Sequence, residues 1–153
     1  MSLVLDIKEQ IKDAMRAKDA VRLTVLRGLS AAFVNELVAK SRKPDEELGD
    51  DDALSVIMRE SKKRKDSIEQ FGAAGRTDLA LSERAELSII ETFLPTQMSR
   101  EEIENFVAAK KAELGITDPA QKGPFLGALM KELKGKADGK VVQEIVEKSF
   151  TSV

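Results

Sequence analysis

The stretch Lys122–Lys140, KGPFLGALMKELKGKADGK, decides the fold of the second half of the chain. Its apolar residues recur at i, i+3, i+4 and i+7, which is the spacing of one helix face. These residues are Leu126, Leu129, Met130 and Leu133. Gly135 stands where the end of such a helix favours a left-handed residue. Asp138 can cap a following helix with its side-chain oxygen. The stretch therefore predicts two helices joined by a tight loop.

The loop of this stretch carries a local excess of positive charge. Lysines stand on both sides of its glycines, and a glycine turn with outward backbone N–H groups is a structure that binds anions. The N-terminus of the next helix adds to the attraction. We expect an anion-binding site suited to nucleic-acid phosphates, formed by Lys122, Lys134, Gly135, Lys136, Asp138, Gly139 and Lys140. Charges that only keep a loop soluble are the alternative.

The composition excludes several classes of function. The chain has 153 residues, a formal net charge of −2, no cysteine and no histidine. Disulfides, thiol chemistry, the usual zinc sites and Ser-His-Asp triads are therefore excluded. No apolar run approaches the length that crosses a membrane, so no membrane partner is expected. The start, MSLVLDIKEQ, lacks a secretory signal pattern, which together with the missing cysteines predicts a cytoplasmic protein.

Helical periodicity extends over nearly the whole chain, and no alternating strand pattern lasts more than a few residues. The sequence predicts an all-α fold with an N-terminal domain of about four helices, residues 1–95, and a C-terminal three-helix domain, residues 96–153. Pro95 marks the boundary because a proline disfavours helix in the residue before it. Ser99 and Glu102 have the spacing of a capping box at the start of the second domain.

The third predicted helix, about residues 51–71, has an interrupted apolar stripe. Positions 61, 64 and 65 should face the core, yet they hold a serine, an arginine and a lysine. One interpretation is a solvated face on which long side chains cover apolar surface with their stems. The other is a basic ridge that contacts a partner. The ridge consists of Arg59, Lys62, Lys63, Arg64 and Lys65.

The sequence predicts no catalytic residues, no cofactor and no metal. Neither GxxxxGK[ST] nor GxGxxG occurs, so the common nucleotide-binding loops are missing. The acidic runs at 45–47 and 50–52 lack the alternating pattern of a calcium loop, and carboxylates at a helix start are explained by the helix dipole. The Ser61–Lys65 spacing is one that polar helix faces produce constantly, so it does not indicate a nucleophile.

Three segments together resemble the GatB/YqeY family. They are RESKKRKDSIEQF at 59–71, the segment 79–103 with FLPTQ at 93–97, and the segment from 122 with GKADG at 135–139. The chain is similar over essentially its whole length to YqeY-type proteins, which resemble the tail of the B subunit of the Glu-/Asp-tRNA amidotransferase. The resemblance implies an all-helical fold whose C-terminal domain helps to bind tRNA. The chain departs from the commoner family pattern at residues 123–125.

Three candidate functions follow from these observations. The leading one is a non-catalytic tRNA-binding or amidotransferase-like accessory module, whose partner is tRNA or a tRNA-dependent enzyme complex. The alternative is a helical adaptor with a protein partner. The third is a carbon–nitrogen ligase with glutamine as amide donor, which the family label implies. We do not expect this chain to catalyse that reaction alone, because it shows neither an amidase constellation nor an ATP site. An RNA-binding module should place its lysines on one face.

Overall fold

The computed structural model describes residues 1–151, and they form helices joined by short loops. No strand occurs in this part of the chain, so the all-α prediction is confirmed. The chain divides into two compact units, Met1–Leu94 and Pro95–Val153. Each unit has a hydrophobic core of its own. None of the described helices is both long enough and apolar enough to cross a membrane.

The first unit consists of α1 (Leu3–Arg16), α2 (Ala20–Ala39), α3 (Asp50–Ala73) and α4 (Thr77–Glu91). Side-chain caps explain where the first two helices begin. The Ser2 hydroxyl accepts a hydrogen bond from the Leu5 N–H, and the Asp19 carboxylate accepts one from the Arg22 N–H. The largest fully buried residues of this core are Ile7, Leu26, Leu29, Leu37, Leu48, Ile57 and Ile90.

Two large apolar residues of α1 and α2 lie outside the core. Met15 is 53% exposed and Val21 is 51% exposed. They belong to the last turn of α1 and the first turn of α2, at the tip of the hairpin that these helices form. Both side chains are therefore outside the packed part of the two helices.

The acidic loop before α3 holds the start of α1. The Glu47 carboxylate accepts a hydrogen bond from the Ser2 hydroxyl at 2.6 Å, and the Asp50 carboxylate accepts one from the Leu3 N–H at 2.9 Å. These carboxylates thus satisfy donors at a helix N-terminus, where negative charge is stabilised. Across residues 1–151, no group of three or more acidic side chains is arranged to hold a metal ion.

The second unit contains α5 (Arg100–Glu113), a short 3₁₀ turn (Pro119–Gln121), α6 (Lys122–Glu132) and α7 (Gly139–Thr151). The predicted capping box is confirmed. The Ser99 hydroxyl accepts from the Glu102 N–H at 3.2 Å, and the Glu102 carboxylate accepts from the Ser99 N–H at 2.7 Å.

The buried face of α6 differs from the predicted one. Phe125, Leu129 and Leu133 are buried, whereas Met130 is 40% exposed. The Phe125 ring makes an edge-to-face contact with Phe150 of α7, with ring centroids 6.4 Å apart. An aromatic pair of this kind stabilises beyond its buried area. The contact therefore turns α6 toward Phe125, which the helical spacing alone did not indicate.

Candidate functional site

The loop between α6 and α7 is a compact turn. Gly135 has a φ of +78°, which only glycine adopts without strain, so the predicted left-handed position is confirmed. The Leu133 carbonyl accepts hydrogen bonds from the N–H groups of Lys136 and Ala137, at 2.9 and 3.2 Å. The Asp138 carboxylate accepts one from the Lys140 N–H at 2.9 Å, as the predicted cap of the next helix requires.

These hydrogen bonds correct one expectation about the loop. The backbone N–H groups of Lys136, Ala137 and Lys140 bond to acceptors inside the protein, so they do not form the outward anion cradle that the sequence predicted. Their geometry follows from the turn itself, because a tight αL turn closes its own amides onto the last helical carbonyl. These three amides therefore add no attraction for an anion, and the lysine side chains supply the positive charge of the loop.

Two residues from the start of the second unit hold the loop in place. The Gln97 side-chain amide donates to the Gly135 carbonyl at 2.7 Å and to the Pro95 carbonyl at 2.8 Å. The Met98 N–H donates to the Lys136 carbonyl at 2.8 Å. The segments FLPTQ and GKADG, on which the family resemblance rests, are thus bonded to each other. Sequence reasoning missed this contact, because no periodicity connects residues 38 positions apart.

The lysines of this loop are exposed and have no carboxylate partner. Lys134, Lys136 and Lys140 form no ion pair with any described residue. Lys140 lies in the first turn of α7, where the helix dipole disfavours a positive charge. Its charge therefore has no evident stabilising role. We refer to Lys134, Lys136 and Lys140 as the loop lysines.

Lys122 does not join the loop lysines. It is the first residue of α6, and the loop begins at the opposite end of this 11-residue helix. A rise of 1.5 Å per residue separates the two ends by about 16 Å. The structure therefore brings together six of the seven residues that the sequence assigned to this site and leaves Lys122 apart.

The ridge on α3 differs from the loop in its charge balance. Most of its cations are neutralised by nearby carboxylates. The pairs are Arg59–Glu36, Lys63–Glu60 at 2.8 Å, Arg64–Glu86 at 2.9 Å and Lys65–Glu91 at 3.9 Å. Within residues 1–151, Lys62 is the ridge cation without an ion pair. An anionic partner would have to compete with these carboxylates, so the ridge is the weaker candidate.

The interrupted stripe of α3 is explained by its neighbour α4. Ser61 is buried, and Arg64 is half-buried between the helices, where Glu83 and Glu86 of α4 approach its guanidinium. A charged residue is tolerated at an inward position because opposite charges face it. Neither a fully solvated face nor a free ridge describes this helix.

A groove of about 540 Å³ lies between α5 and α7. Val107, Ile116 and Ile145 line its apolar part. The Lys111 ammonium at its edge donates to the Ser149 carbonyl at 2.6 Å and stands 4.0 Å from the centre of the Phe150 ring. Because this cation already has partners, the groove offers no free charge for an anion.

Ion pairs between α5 and α7 shift two pKa values on the surface of the second unit. The Arg100 guanidinium hydrogen-bonds to the Glu144 carboxylate, and Lys148 adds a second contact, so the pKa of Glu144 lies below its usual 4.5. The same bond to Glu144 raises the pKa of Arg100. Both groups are exposed and connect α5 with α7. Their arrangement stabilises packing of helices and provides no acid–base pair at the loop.

The fold and the loop define an all-helical protein of two units whose candidate site is a rigid, basic turn. The sequence profile of the family described as Yqey-like protein matches residues 5–150. The chain belongs to this family.

Curated relatives of the chain include several fungal proteins named "Altered inheritance of mitochondria protein 41, mitochondrial". The protein from Pyrenophora tritici-repentis is 32% identical, over 96% of this chain and 78% of its own length. That from Lachancea thermotolerans is 34% identical, over 80% of this chain and 63% of its own length. That from Kluyveromyces lactis is 32% identical, over 89% of this chain and 69% of its own length.

These relatives correct the predicted location. All three are named as mitochondrial proteins, which contradicts the expectation of a cytoplasmic protein. The expectation depended on the absence of cysteine and of a secretory signal pattern. A chain without cysteine forms no disulfide in any compartment. The lack of cysteine therefore does not distinguish an oxidising from a reducing compartment.

Proposed function

We propose that this YqeY-family protein is a non-catalytic accessory module that binds tRNA through the loop lysines, alone or beside a tRNA-dependent amidotransferase. The observation that carries the proposal is that the three loop lysines are exposed, form no ion pair within residues 1–151 and are mounted on a turn held by Gln97 and Met98. Side chains on a fixed turn lose less conformational entropy when they contact phosphates.

The chemistry of the loop favours phosphates over bases. No residue from Lys134 to Lys140 is aromatic, and the whole chain has no tryptophan or tyrosine. Stacking platforms for unpaired bases are therefore missing at this site. Lysine is a compact point charge that attracts phosphate without reading base edges. Such a site fits the backbone of a folded RNA, which is recognised mainly by shape and phosphate position.

The test is binding of labelled tRNA at two salt concentrations. Wild-type protein is expected to bind with a dissociation constant in the micromolar range or tighter, and the affinity should fall as salt rises. A variant with Lys134→Glu and Lys136→Glu is expected to lose at least tenfold in affinity. Its salt dependence should also be shallower by about one unit of slope for each phosphate contact removed.

The matched control carries the same change of charge on the ridge, Lys62→Glu with Lys63→Glu. This control should retain wild-type affinity within about twofold. Equal loss in both variants would show binding through net charge alone and would contradict a loop site. Feeble and equal binding by all three proteins would remove tRNA as the ligand and leave the protein-binding adaptor as the remaining function.

A further inference from the structure

The helix α2 has apolar residues on both of its sides. Its inner side supplies Val25, Leu26, Leu29, Phe33 and Leu37 to the core. Its outer side is exposed, and of the ten exposed residues of α2 only Arg27 is charged. A helix with apolar residues all round is usually buried on all sides. We call the ten exposed residues the outer α2 face; they are Ala20, Val21, Thr24, Arg27, Gly28, Ala31, Val34, Asn35, Val38 and Ala39.

The absence of charge on this face is unusual for the chain, in which 34% of residues are charged. Its one arginine turns toward α1, where the Arg27 guanidinium lies 3.9 Å from the Met15 sulfur. The valines Val21, Val34 and Val38 are 51%, 38% and 55% exposed. Contiguous apolar surface of this kind marks interaction sites on soluble proteins.

The centre line of the face has a two-fold symmetric order. Along the line formed by Val21, Thr24, Gly28, Ala31, Asn35 and Val38, each residue i has a counterpart of similar size or polarity at position 59 − i, whereas Arg27 and Val34 have none on the face. The counterparts are Val21 with Val38, Thr24 with Asn35, and Gly28 with Ala31. Two copies of α2 that cross antiparallel would bring these counterparts opposite each other. The smallest residues then meet at the centre, where helices approach most closely, and the larger ones meet at the ends.

The charges at the two ends of α2 fit the same arrangement. The N-cap of α2 is Asp19 and its C-cap is Lys40, and these two residue numbers also sum to 59. In an antiparallel pair the carboxylate of one copy would face the ammonium of the other, once at each end. Lys40 already pairs with Asp52 at 2.7 Å, and its side chain is still 42% exposed. Antiparallel helices also align opposite dipole ends.

We propose that the outer α2 face binds a second copy of this chain, with α2 packed antiparallel on α2 about a two-fold axis. A two-fold interface uses the same patch on both subunits, which must therefore be self-complementary, as this face is. The face between Val21 and Val38 is about 26 Å long and about 10 Å wide. Such a face buries well below the area of a standard specific interface, so the dimer is weak and exchanges with monomer.

Gly28 offers a substitution that separates dimerisation from folding. A Cβ added at this exposed position meets no atom within 4 Å in the monomer, so Gly28→Glu fits the single chain. It also replaces a residue that is poorly suited to a helix interior. In the dimer the new carboxylate would lie at the closest approach of the two helices. Gly127→Glu on α6 is the matched control, because that glycine is equally unobstructed.

Sedimentation over a wide range of protein concentration is the measurement. Wild-type chain and Gly127→Glu should pass from monomer to dimer, with a midpoint in the micromolar range or above. Gly28→Glu should weaken this association at least tenfold while its melting temperature stays equal or rises. A wild-type chain that remains monomeric at every concentration would refute the interface. So would a dimer that Gly28→Glu leaves unchanged, since another surface would then form it.

The antiparallel order is tested with single cysteines, for which a chain without cysteine is well suited. An equimolar mixture of Thr24→Cys and Asn35→Cys chains should form covalent dimers with a short bismaleimide cross-linker. Each variant alone should not, because the equal positions of an antiparallel pair are about 16 Å apart along the axis. Efficient linking of Thr24→Cys to itself would show a parallel pair and overturn the proposed geometry.

Discussion

Gln97 shows how one side chain connects two distant parts of the second unit. Both hydrogens of its amide are used, one on the Pro95 carbonyl and one on the Gly135 carbonyl. Removing both leaves two carbonyls to find other partners. A hydrogen bond of this kind contributes about 0.5–1.5 kcal/mol net. Gln97 is therefore expected to set the rigidity of the loop rather than the stability of the whole unit.

Replacement of Gln97 by methionine tests this role, because methionine keeps the length of the side chain and removes both donors. In Gln97→Met, the amide hydrogens of residues 134–139 should exchange about fivefold faster, since the one hydrogen bond of about 1 kcal/mol from Gln97 to the loop is lost. Amides of α5 should be unaffected. Gln70→Met on the exposed surface of α3 is the control. Unchanged exchange in the loop would show that the Met98 bond suffices.

At the scale of the helices, Glu144 links α5 to α7 through Arg100 and also contacts Lys148 of its own helix. Its pKa is lowered in the folded protein, chiefly by the hydrogen bond from Arg100. A carboxyl group with a lowered pKa stabilises the fold above its unfolded pKa and loses that contribution as the pH falls through its folded pKa. The effect is small because these side chains are exposed.

The lowered pKa of Glu144 determines how the stability of the Glu144→Gln variant should depend on pH. Near pH 7 the variant should melt slightly below the wild type, and the difference should disappear as the pH falls below the usual carboxyl pKa of 4.5. Thermal unfolding from pH 7 to pH 3 measures it. Glu147→Gln serves as the control, since Glu147 forms no ion pair among the described residues. A gap that widened toward low pH would contradict the assignment.

Local signals in the sequence were enough to locate the helices and their ends. The Ser99 capping box, the αL glycine at 135 and the Asp138 cap all depend on neighbouring residues, and all are present in the structure. The inner face of α6 was predicted less well, because the contact of Phe125 with α7 decides it. Local spacing identifies an amphipathic helix more reliably than it orients it.

At the scale of the whole molecule, each unit has a separate core, and equivalent leucines occur in both. Leu29 and Leu129 are each 2% exposed. Leu129→Ala should destabilise the second unit by about 2–5 kcal/mol, because it leaves a cavity in a packed core. Native-state hydrogen exchange should show faster exchange in α5–α7 and unchanged exchange in α1–α4.

Leu29→Ala should give the reverse pattern, with faster exchange in the first unit. If either substitution accelerated exchange equally in both units, the cores would unfold as one cooperative body. Such an outcome would also change the interpretation of the Gln97 variant, whose effect is expected within the second unit alone.

The sequence revealed less about contacts between distant segments than about the helices themselves. The Gln97–Gly135 bond and the pairing of Arg64 with Glu86 both join residues far apart in the chain. Neither follows from periodicity, propensity or charge, because each depends on how the helices pack. The candidate site was located from its lysines and glycines. Only the structure shows that loop amides bond to acceptors inside the protein and that Lys122 lies apart from the loop.

The internal bonding of the Lys136 and Ala137 amides has a consequence for the size of the anion that the proposed site would bind. Backbone N–H groups that surround a phosphate recognise that single phosphate through the directions of their hydrogen bonds. Here the Lys136 and Ala137 amides are committed to the Leu133 carbonyl, so the positive charge of the loop is that of its lysine side chains. The attraction then grows with the number of successive negative charges on the ligand rather than with how well a single phosphate fits. Free phosphate or a mononucleotide should compete poorly, whereas any long polyanion should compete well.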